Sequence, residues 1–171
     1  IPQGFLAGPV ALVSQSGGLS TTIANALMLN RHVGLSHIVS CGNQAGATVE
    51  EYFNYLVEDE NTRVIAAFVE GFKQPHLLLA VARKAFARNK PLIILKGGRS
   101  EVSQRAVETH SGSPAGAAEV IDAAFRQSGI VSVRSINELI DAISVFSCDG
   151  FVKNYRGGRR IGVLSGSGGE C

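Results

Sequence analysis

The chain of 171 residues contains a serine- and glycine-rich turn that could bind a phosphate. An apolar run over residues 10–14 ends in Ser14-Gln15-Ser16-Gly17-Gly18, and apolar residues at helical spacing follow Leu19-Ser20. Such a turn presents backbone N–H groups, hydroxyls and the positive end of a helix to one point, which suits an anion. The candidate phosphate ligands are Ser14, Ser16, Gly17, Gly18 and Ser20. A plain tight turn, with small residues needed only for packing, is the alternative.

A histidine in a second small-residue segment could carry chemistry. His110 lies in THSGSPAG (109–116), within the longest stretch that has no helix or strand pattern. Nothing bulky adjoins it in the sequence, and the segment follows a predicted strand, at the carboxyl end of the sheet. A solvated loop histidine without a chemical role is the other interpretation.

A carboxylate at the end of a buried strand is a third candidate. Glu70 directly follows the apolar run 63–69, and a carboxylate there needs a partner. It could hold an imidazole, fixing its tautomer and raising the basicity of the other ring nitrogen. A salt bridge to Lys73, Lys96 or Arg99 would satisfy it equally well.

The order of strand and helix patterns predicts the fold that positions these residues. Strands are expected over 10–14, 36–41, 63–69, 91–96 and 130–133. Helices are expected over 19–31, after Thr48 with Glu51 completing a capping box, and over 75–88, 117–127 and 136–146. The strands are continuously apolar, so both sheet faces are covered and the sheet is parallel. We expect a flavodoxin-like, doubly wound, five-stranded sheet with helices on both faces and ligands at the carboxyl ends of the strands.

The end of the chain repeats its beginning. Residues 161–169, IGVLSGSGG, match the apolar run and Ser-x-Ser-Gly-Gly turn of residues 10–18. We therefore expect one domain over 1–147, a polar, glycine-rich linker over 148–160 and the truncated start of a second similar domain over 161–171. This repeat, and a first residue that is not methionine, indicate an excised piece of a longer protein.

Composition excludes several classes of protein. With 45% hydrophobic and 18% charged residues the chain can form a core, so a disordered chain is excluded. Six per cent aromatic residues, no tryptophan and a net charge of +2 argue against nucleic-acid binding. No apolar run reaches membrane-spanning length. Cys41, Cys148 and Cys171 are too far apart for a zinc motif and are expected to be reduced thiols of a cytoplasmic protein.

Several stretches together resemble the nucleotide-forming acyl-CoA synthetases, which include the succinyl-CoA synthetase α-subunit and the ADP-forming acetyl-CoA synthetases. They are PVALVSQSGGL (9–19), VSCGN (39–43), EYFNYLVED (51–59), VIAAFVEGF (64–72), KPLIILKGGRSE (90–101), THSGSPAG (109–116) and AAFRQSGIVSV (123–133). The resemblance covers residues 8–145 in the same order.

The resemblance implies a role for each candidate. His110 matches the family's phosphorylated histidine, Glu70 the glutamate that orients this ring, and the turn from Ser14 to Ser20 the helix terminus that holds the phosphohistidine, with Ser111 and Gly112 beside it. The implied reaction is acid + CoA + NTP to acyl-CoA + NDP + phosphate. CoA, ATP or GTP, and Mg²⁺ would bind elsewhere in the enzyme, with no metal or tightly bound cofactor in this chain.

The implied partners are the CoA-binding and nucleotide-grasp domains, a small carboxylic acid as substrate, and a second copy in a possible homo-oligomer. Two other functions stay open from the sequence. The chain could be a non-catalytic regulatory domain of an acetyltransferase fusion, although His110 with Glu70 favours the enzyme. It could also be a flavodoxin-like FMN binder, although aromatic residues are lacking near the strand-end turns.

Overall fold

A computed structural model describes residues 5–98 and 118–148, which build one five-stranded parallel sheet with helices on both faces. The strand order is β2-β1-β3-β4-β5, as in the flavodoxin-like doubly wound fold, so the expected fold class is confirmed. The strands are β1 (Ala7–Ser14), β2 (Leu35–Ser40), β3 (Val64–Val69), β4 (Leu92–Lys96) and β5 (Val131–Val133).

Within residues 5–98 and 118–148, five α-helices connect or follow these strands. They are α1 (Gly17–Asn25), α2 (Val49–Glu58), α3 (Pro75–Ala87), α4 (Ala118–Ser128) and α5 (Ile136–Ser147). The apolar spacing predicts one helix over 19–31. The structure instead ends α1 at Asn25 and continues it as a π-helical segment, Ala26–Asn30, in which the wider turn displaces the helical period.

Successive residues of each strand point to opposite faces of the sheet, and both faces are covered by helices. The protein therefore has two separate hydrophobic cores, one on each face. Val10 and Leu12 of β1 pack towards α1 and α5, whereas Ala11 and Val13 pack towards α2, α3 and α4. Phe125 of α4 is fully buried in the second core and meets the Phe72 ring edge-on at 5.9 Å between centroids.

The helix starts follow side-chain signals in the sequence. Thr48 caps α2 by accepting a hydrogen bond from the Glu51 N–H, and Glu51 accepts one from the Thr48 N–H, so the predicted capping box is confirmed. Ser135 caps α5 in the same way through the Glu138 N–H. These caps fix where each helix leaves the loop at the end of the preceding strand.

β1 and β2 approach each other more closely at Gly8 and Gly34 than a pair of side chains would allow. A Cβ atom built on Gly8 would lie 2.4 Å from the Gly34 Cα, and one on Gly34 would lie 2.3 Å from the Ala7 carbonyl oxygen. The pairing register of the two strands shifts between Ala7 and Val10 at the same place. Because Gly8 and Gly34 have no side chains, the two main chains can lie in contact where the pairing register changes.

The expected linker and second domain lie outside the described residues, apart from Cys148 at the end of α5. The boundaries at 147 and 160 therefore stay predictions. Within residues 5–98 and 118–148, no helix is long and apolar enough to cross a membrane.

Candidate functional site

The candidate site lies at the carboxyl ends of β1 and β3, where the strand order reverses. The connection after β1 crosses one face of the sheet through α1, and the connection after β2 crosses the other face through α2. The loops therefore diverge and leave a crevice between the two strand ends, where ligands bind in open α/β sheets. Ser14, the last residue of β1, pairs with Phe68, two residues before Glu70.

The serine hydroxyls of the turn after β1 contact the main chain of that turn. Ser14 is fully buried, and its Oγ accepts from the Ser16 N–H at 3.0 Å and donates to the Ser16 carbonyl at 2.7 Å. Ser16 Oγ caps α1 by accepting from the Leu19 N–H, and the buried Ser20 Oγ donates to the Gly17 carbonyl at 2.7 Å. These hydroxyls hold the turn in shape.

The backbone of Gly17 and Gly18 offers N–H groups to a ligand at the start of α1. As the first two helical residues they have no intrahelical acceptor, and both are exposed. Among the described residues, a Cβ atom on Gly18 would meet no atom within 4 Å, and one on Gly17 would lie 3.5 Å from the Ser40 Oγ. The arrangement suits an anion, and phosphate binding here stays a prediction.

Gln15 connects the end of β1 to the end of β3. Its side chain is 4% exposed and makes three hydrogen bonds: Oε1 accepts from the N–H groups of Glu70 and Gly71, and Nε2 donates to the Gly71 carbonyl at 2.8 Å. Glu70 itself is half-buried. The main chain that carries the candidate carboxylate is therefore fixed by an amide from the neighbouring strand.

Lys96, at the end of β4, holds the same segment from the other side. Its Nζ donates to the carbonyl oxygens of Glu70 and Gly97, each at 2.6 Å, and the residue is 5% exposed. Of the three cations considered as partners for the Glu70 carboxylate, Lys96 thus binds the Glu70 main chain, and Lys73 binds the Gln44 carbonyl at 2.8 Å. Arg99 lies outside the described residues.

Gln44 adds a contact from the loop after β2. It is 4% exposed and has a positive φ of 57°, a conformation that costs free energy in a residue other than glycine. Its Nε2 donates to the Gly71 carbonyl at 3.3 Å, and its Oε1 accepts from the Val49 N–H at the start of α2. Two buried glutamines from different loops therefore converge on one carbonyl oxygen.

Cys41 lies beside this network at the end of β2. Burial raises the pKa of its thiol, and its Sγ–H donates to the Ser14 carbonyl at 3.4 Å. Both effects favour the thiol over the thiolate, which is the reactive form.

His110, Ser111 and Gly112 lie outside the described residues. The structure does describe the chain on either side of residues 99–117, up to Gly98 and from α4 onwards. The chain leaves the carboxyl end of β4 at Gly97 and Gly98, beside Glu70. It re-enters at α4, whose eleven residues span about 16 Å and end just before the amino end of β5, so that α4 begins towards the carboxyl edge. Gly98 and the first turn of α4, the described parts of the chain on either side of residues 99–117, therefore both lie towards the sheet edge that carries Glu70 and the start of α1.

A cavity of about 530 Å³ lies at the opposite edge of the sheet. The end of α3, the beginnings of β4 and β5 and Phe146 of α5 line it, and most of its surface is apolar. None of the predicted site residues that the structure describes borders this cavity. Within the described ranges, no group of three His, Cys, Asp or Glu residues could hold a metal ion.

Sequence prediction missed Gln15 and Gln44, and it named Lys96 as a salt-bridge partner for the Glu70 carboxylate, not as a donor to main-chain carbonyl groups. All three are polar and at most 5% exposed. The signal that could have identified them is their position: each stands at or just after the carboxyl end of a predicted strand, where a buried polar side chain needs a partner from a neighbouring loop.

Comparison with known proteins gives consistent results. Residues 7–146 match the model of the succinyl-CoA ligase like flavodoxin domain. The chain is 36% identical to the ADP-forming acetate–CoA ligase of Methanocaldococcus jannaschii, covering 95% of this chain and 22% of that protein. It is 39% identical to the α subunit of ADP-forming acetate–CoA ligase I of Pyrococcus furiosus, covering 82% and 30% respectively.

A solved structure agrees with these relatives. The Ca. Korarchaeum cryptofilum dinucleotide forming acetyl-coenzyme A synthetase 1, in complex with phosphate and ADP, is 35% identical and superposes with a TM-score of 0.78, over 85% of this chain and 32% of that one. This chain thus spans a fifth to a third of the proteins it matches. The family model over residues 7–146, the curated relatives and the solved structure together show that the chain belongs to the succinyl-CoA ligase like flavodoxin domain family.

Proposed function

We propose that this chain is the phosphohistidine-carrying part of an NDP-forming acyl-CoA ligase, with His110 as the residue that is phosphorylated. The observation that carries the proposal is the convergence at one sheet edge of the α1 N-terminus, Glu70, the end of β4 and the start of α4, between which residues 99–117 are inserted in the sequence. Family membership supports the same reaction class.

In the proposed reaction, the phosphoryl group passes through His110. The neutral Nε2 attacks the phosphorus of an acyl phosphate, the bond from phosphorus to the acyl oxygen breaks, and the carboxylate leaves. An oxygen of the NDP terminal phosphate then takes the phosphoryl group, which yields NTP and restores the imidazole. Run in reverse and joined to CoA, this is acid + CoA + NTP to acyl-CoA + NDP + phosphate.

Glu70 and the start of α1 have separate roles in this proposal. The Glu70 carboxylate accepts a hydrogen bond from the Nδ1–H group of His110, which keeps the proton on Nδ1 and leaves the lone pair at Nε2 free to attack. The N–H groups of Gly17 and Gly18 stabilise the negative oxygens of the phosphorylated ring, since a helix N-terminus favours anions. Ser111 and Gly112 would contact the same phosphate, and Ser14, Ser16 and Ser20 shape the turn.

The remaining chemistry is assigned to parts of the enzyme beyond this chain. CoA and the nucleotide with its Mg²⁺ would bind to CoA-binding and nucleotide-grasp domains, on the same chain or on another subunit. The greater length of the relatives supports this division. The acid is a small carboxylic acid.

The test is phosphate incorporation into the full-length protein. Incubation with labelled ATP or acyl phosphate is expected to give acid-labile, base-stable label, which His110→Asn abolishes. His76→Asn, an exposed histidine in the first turn of α3, is the matched control and should label like the wild type. Label that persists in His110→Asn would refute the assignment, and an unlabelled wild type would favour a regulatory domain.

A further inference from the structure

The Glu70 main chain is held more tightly than a loop residue requires. Gln15 Oε1 accepts hydrogen bonds from the N–H groups of both Glu70 and Gly71, which belong to the peptide planes before and after the Glu70 Cα. The carbonyl of the second plane accepts from Lys96 Nζ. The angles φ and ψ of Glu70 are the rotations between these two planes, so the contacts fix the direction of its Cα–Cβ bond.

The Gly71 carbonyl is fixed as well. Gln15 Nε2 donates to it at 2.8 Å, and Gln44 Nε2 donates at 3.3 Å from the loop after β2. Both glutamines are 4% exposed, so water offers the segment little alternative bonding. One side chain, Gln15, satisfies three main-chain groups at once and links β1 to the residue whose carboxylate the reaction would use.

We propose that Gln15 is a positioning residue that presets the Glu70 carboxylate for the His110 imidazole, with Gln44 supporting Gly71 from the β2 side. The proposal rests on the proposed function. Its chemical basis is orientation: a carboxylate already aimed at the ring need not be ordered during phosphoryl transfer. A merely structural Gln15 would affect folding, and its effect on the rate would not depend on the Glu70 carboxylate.

A double-mutant cycle in the full-length enzyme tests the proposal. Gln15→Met keeps the length of the side chain and removes its three hydrogen bonds, and Glu70→Gln removes the carboxylate. We expect Gln15→Met to slow phosphohistidine formation at least tenfold in the wild-type background and less than twofold when Glu70→Gln is already present, because the two changes disable the same function. The measurement is a rapid-quench time course with labelled ATP.

Two further measurements separate positioning from loss of stability. Val64→Ala truncates a buried residue at the amino end of β3, away from Gly71, and should lower the melting temperature yet leave the labelling rate within twofold of wild type. Amide hydrogen exchange at Glu70 and Gly71 should accelerate at least tenfold in Gln15→Met, since their acceptor is removed.

The outcomes are distinguishable. Equal slowing by Gln15→Met in both backgrounds, or no slowing in a wild-type enzyme that does label, overturns the positioning role and leaves the phosphohistidine assignment intact. A wild-type enzyme that takes up no label overturns the proposed function and the positioning role together. Slowing confined to the background with Glu70, with faster exchange at the two amides, supports the proposal.

Discussion

Replacing Lys96 by methionine should destabilise the protein far more than the loss of an ordinary lysine. The substitution keeps the aliphatic stem but removes the ammonium donor from the carbonyl oxygens of Glu70 and Gly97. A fully buried acceptor left unsatisfied costs about 1–3 kcal/mol, so about 2–6 kcal/mol is the upper range for these two acceptors, which are partly buried. Relief of the cost of burying a charge offsets part of this. We expect the free energy of unfolding to fall by about 2–4 kcal/mol.

Urea unfolding of this chain, followed by circular dichroism, measures the difference. With a slope of about 2 kcal/mol per molar urea, the midpoint should fall by about 1–2 M at unchanged slope. Lys84→Met is the matched control, because Lys84 is partly exposed and pairs with Glu58 at the surface. It should barely move the midpoint. Equal shifts in the two variants would refute the argument that Lys96 stabilises the molecule through these buried carbonyl groups.

Two further predictions concern α2 and the turn that follows it. Thr48→Ala removes the acceptor for the Glu51 N–H and should lower the free energy of unfolding by about 1–2 kcal/mol in the same urea assay, and an unchanged midpoint would contradict the capping role. A hydrogen bond from the Thr62 hydroxyl is the main reason why the pKa of Asp59 lies below its usual value. The stability from this depressed pKa is complete above the unfolded pKa of about 3.9 and is lost as the pH falls through the lower folded pKa. The stability difference between wild type and Thr62→Val should therefore shrink in acid, and a difference that stays constant from pH 7 to pH 2 would contradict this assignment.

The strands and their order were predictable because their signals are local and repeated. Continuous apolar runs such as 64–69 require cover on both faces, and that requirement, with the intervening helices, gives the parallel, doubly wound sheet. The Thr48 capping box is equally local. The end of α1 was not predictable in this way. The apolar spacing continues to residue 31, whereas the hydrogen bonds after Asn25 follow a wider turn that leaves no mark in the apolar pattern.

The site was predictable only in part, for a different physical reason. Glu70 could be placed at the crevice because strand ends of a parallel sheet meet at one edge. The side-chain amides of Gln15 and Gln44 both donate to the Gly71 carbonyl, which is 56 and 27 residues away in the sequence. Only the folded chain brings these groups together, so the sequence does not reveal the contacts. The sequence predicts that the Ser14 and Ser20 hydroxyls bind a phosphate, and this role stays a prediction. Residue type alone does not reveal that these hydroxyls also form hydrogen bonds with the main chain of the turn. The roles of His110, Ser111 and Gly112 stay predictions.

The close approach of Gly8 and Gly34 limits how this sheet can change over evolution or by design. Each glycine faces main-chain atoms of the other strand, so no substitution elsewhere can make room by shortening a neighbouring side chain. A methyl group at either position would force the two backbones apart. This separation would change both the hydrogen-bonded pairing of β2 with β1 and the shift in their register. The loop after β2 carries Gln44, so a change at the amino edge of the sheet would be transmitted along β2 to the site at its other end. The two glycines thus form one structural unit, which lies at the opposite ends of β1 and β2 from the crevice and is connected to it by both strands.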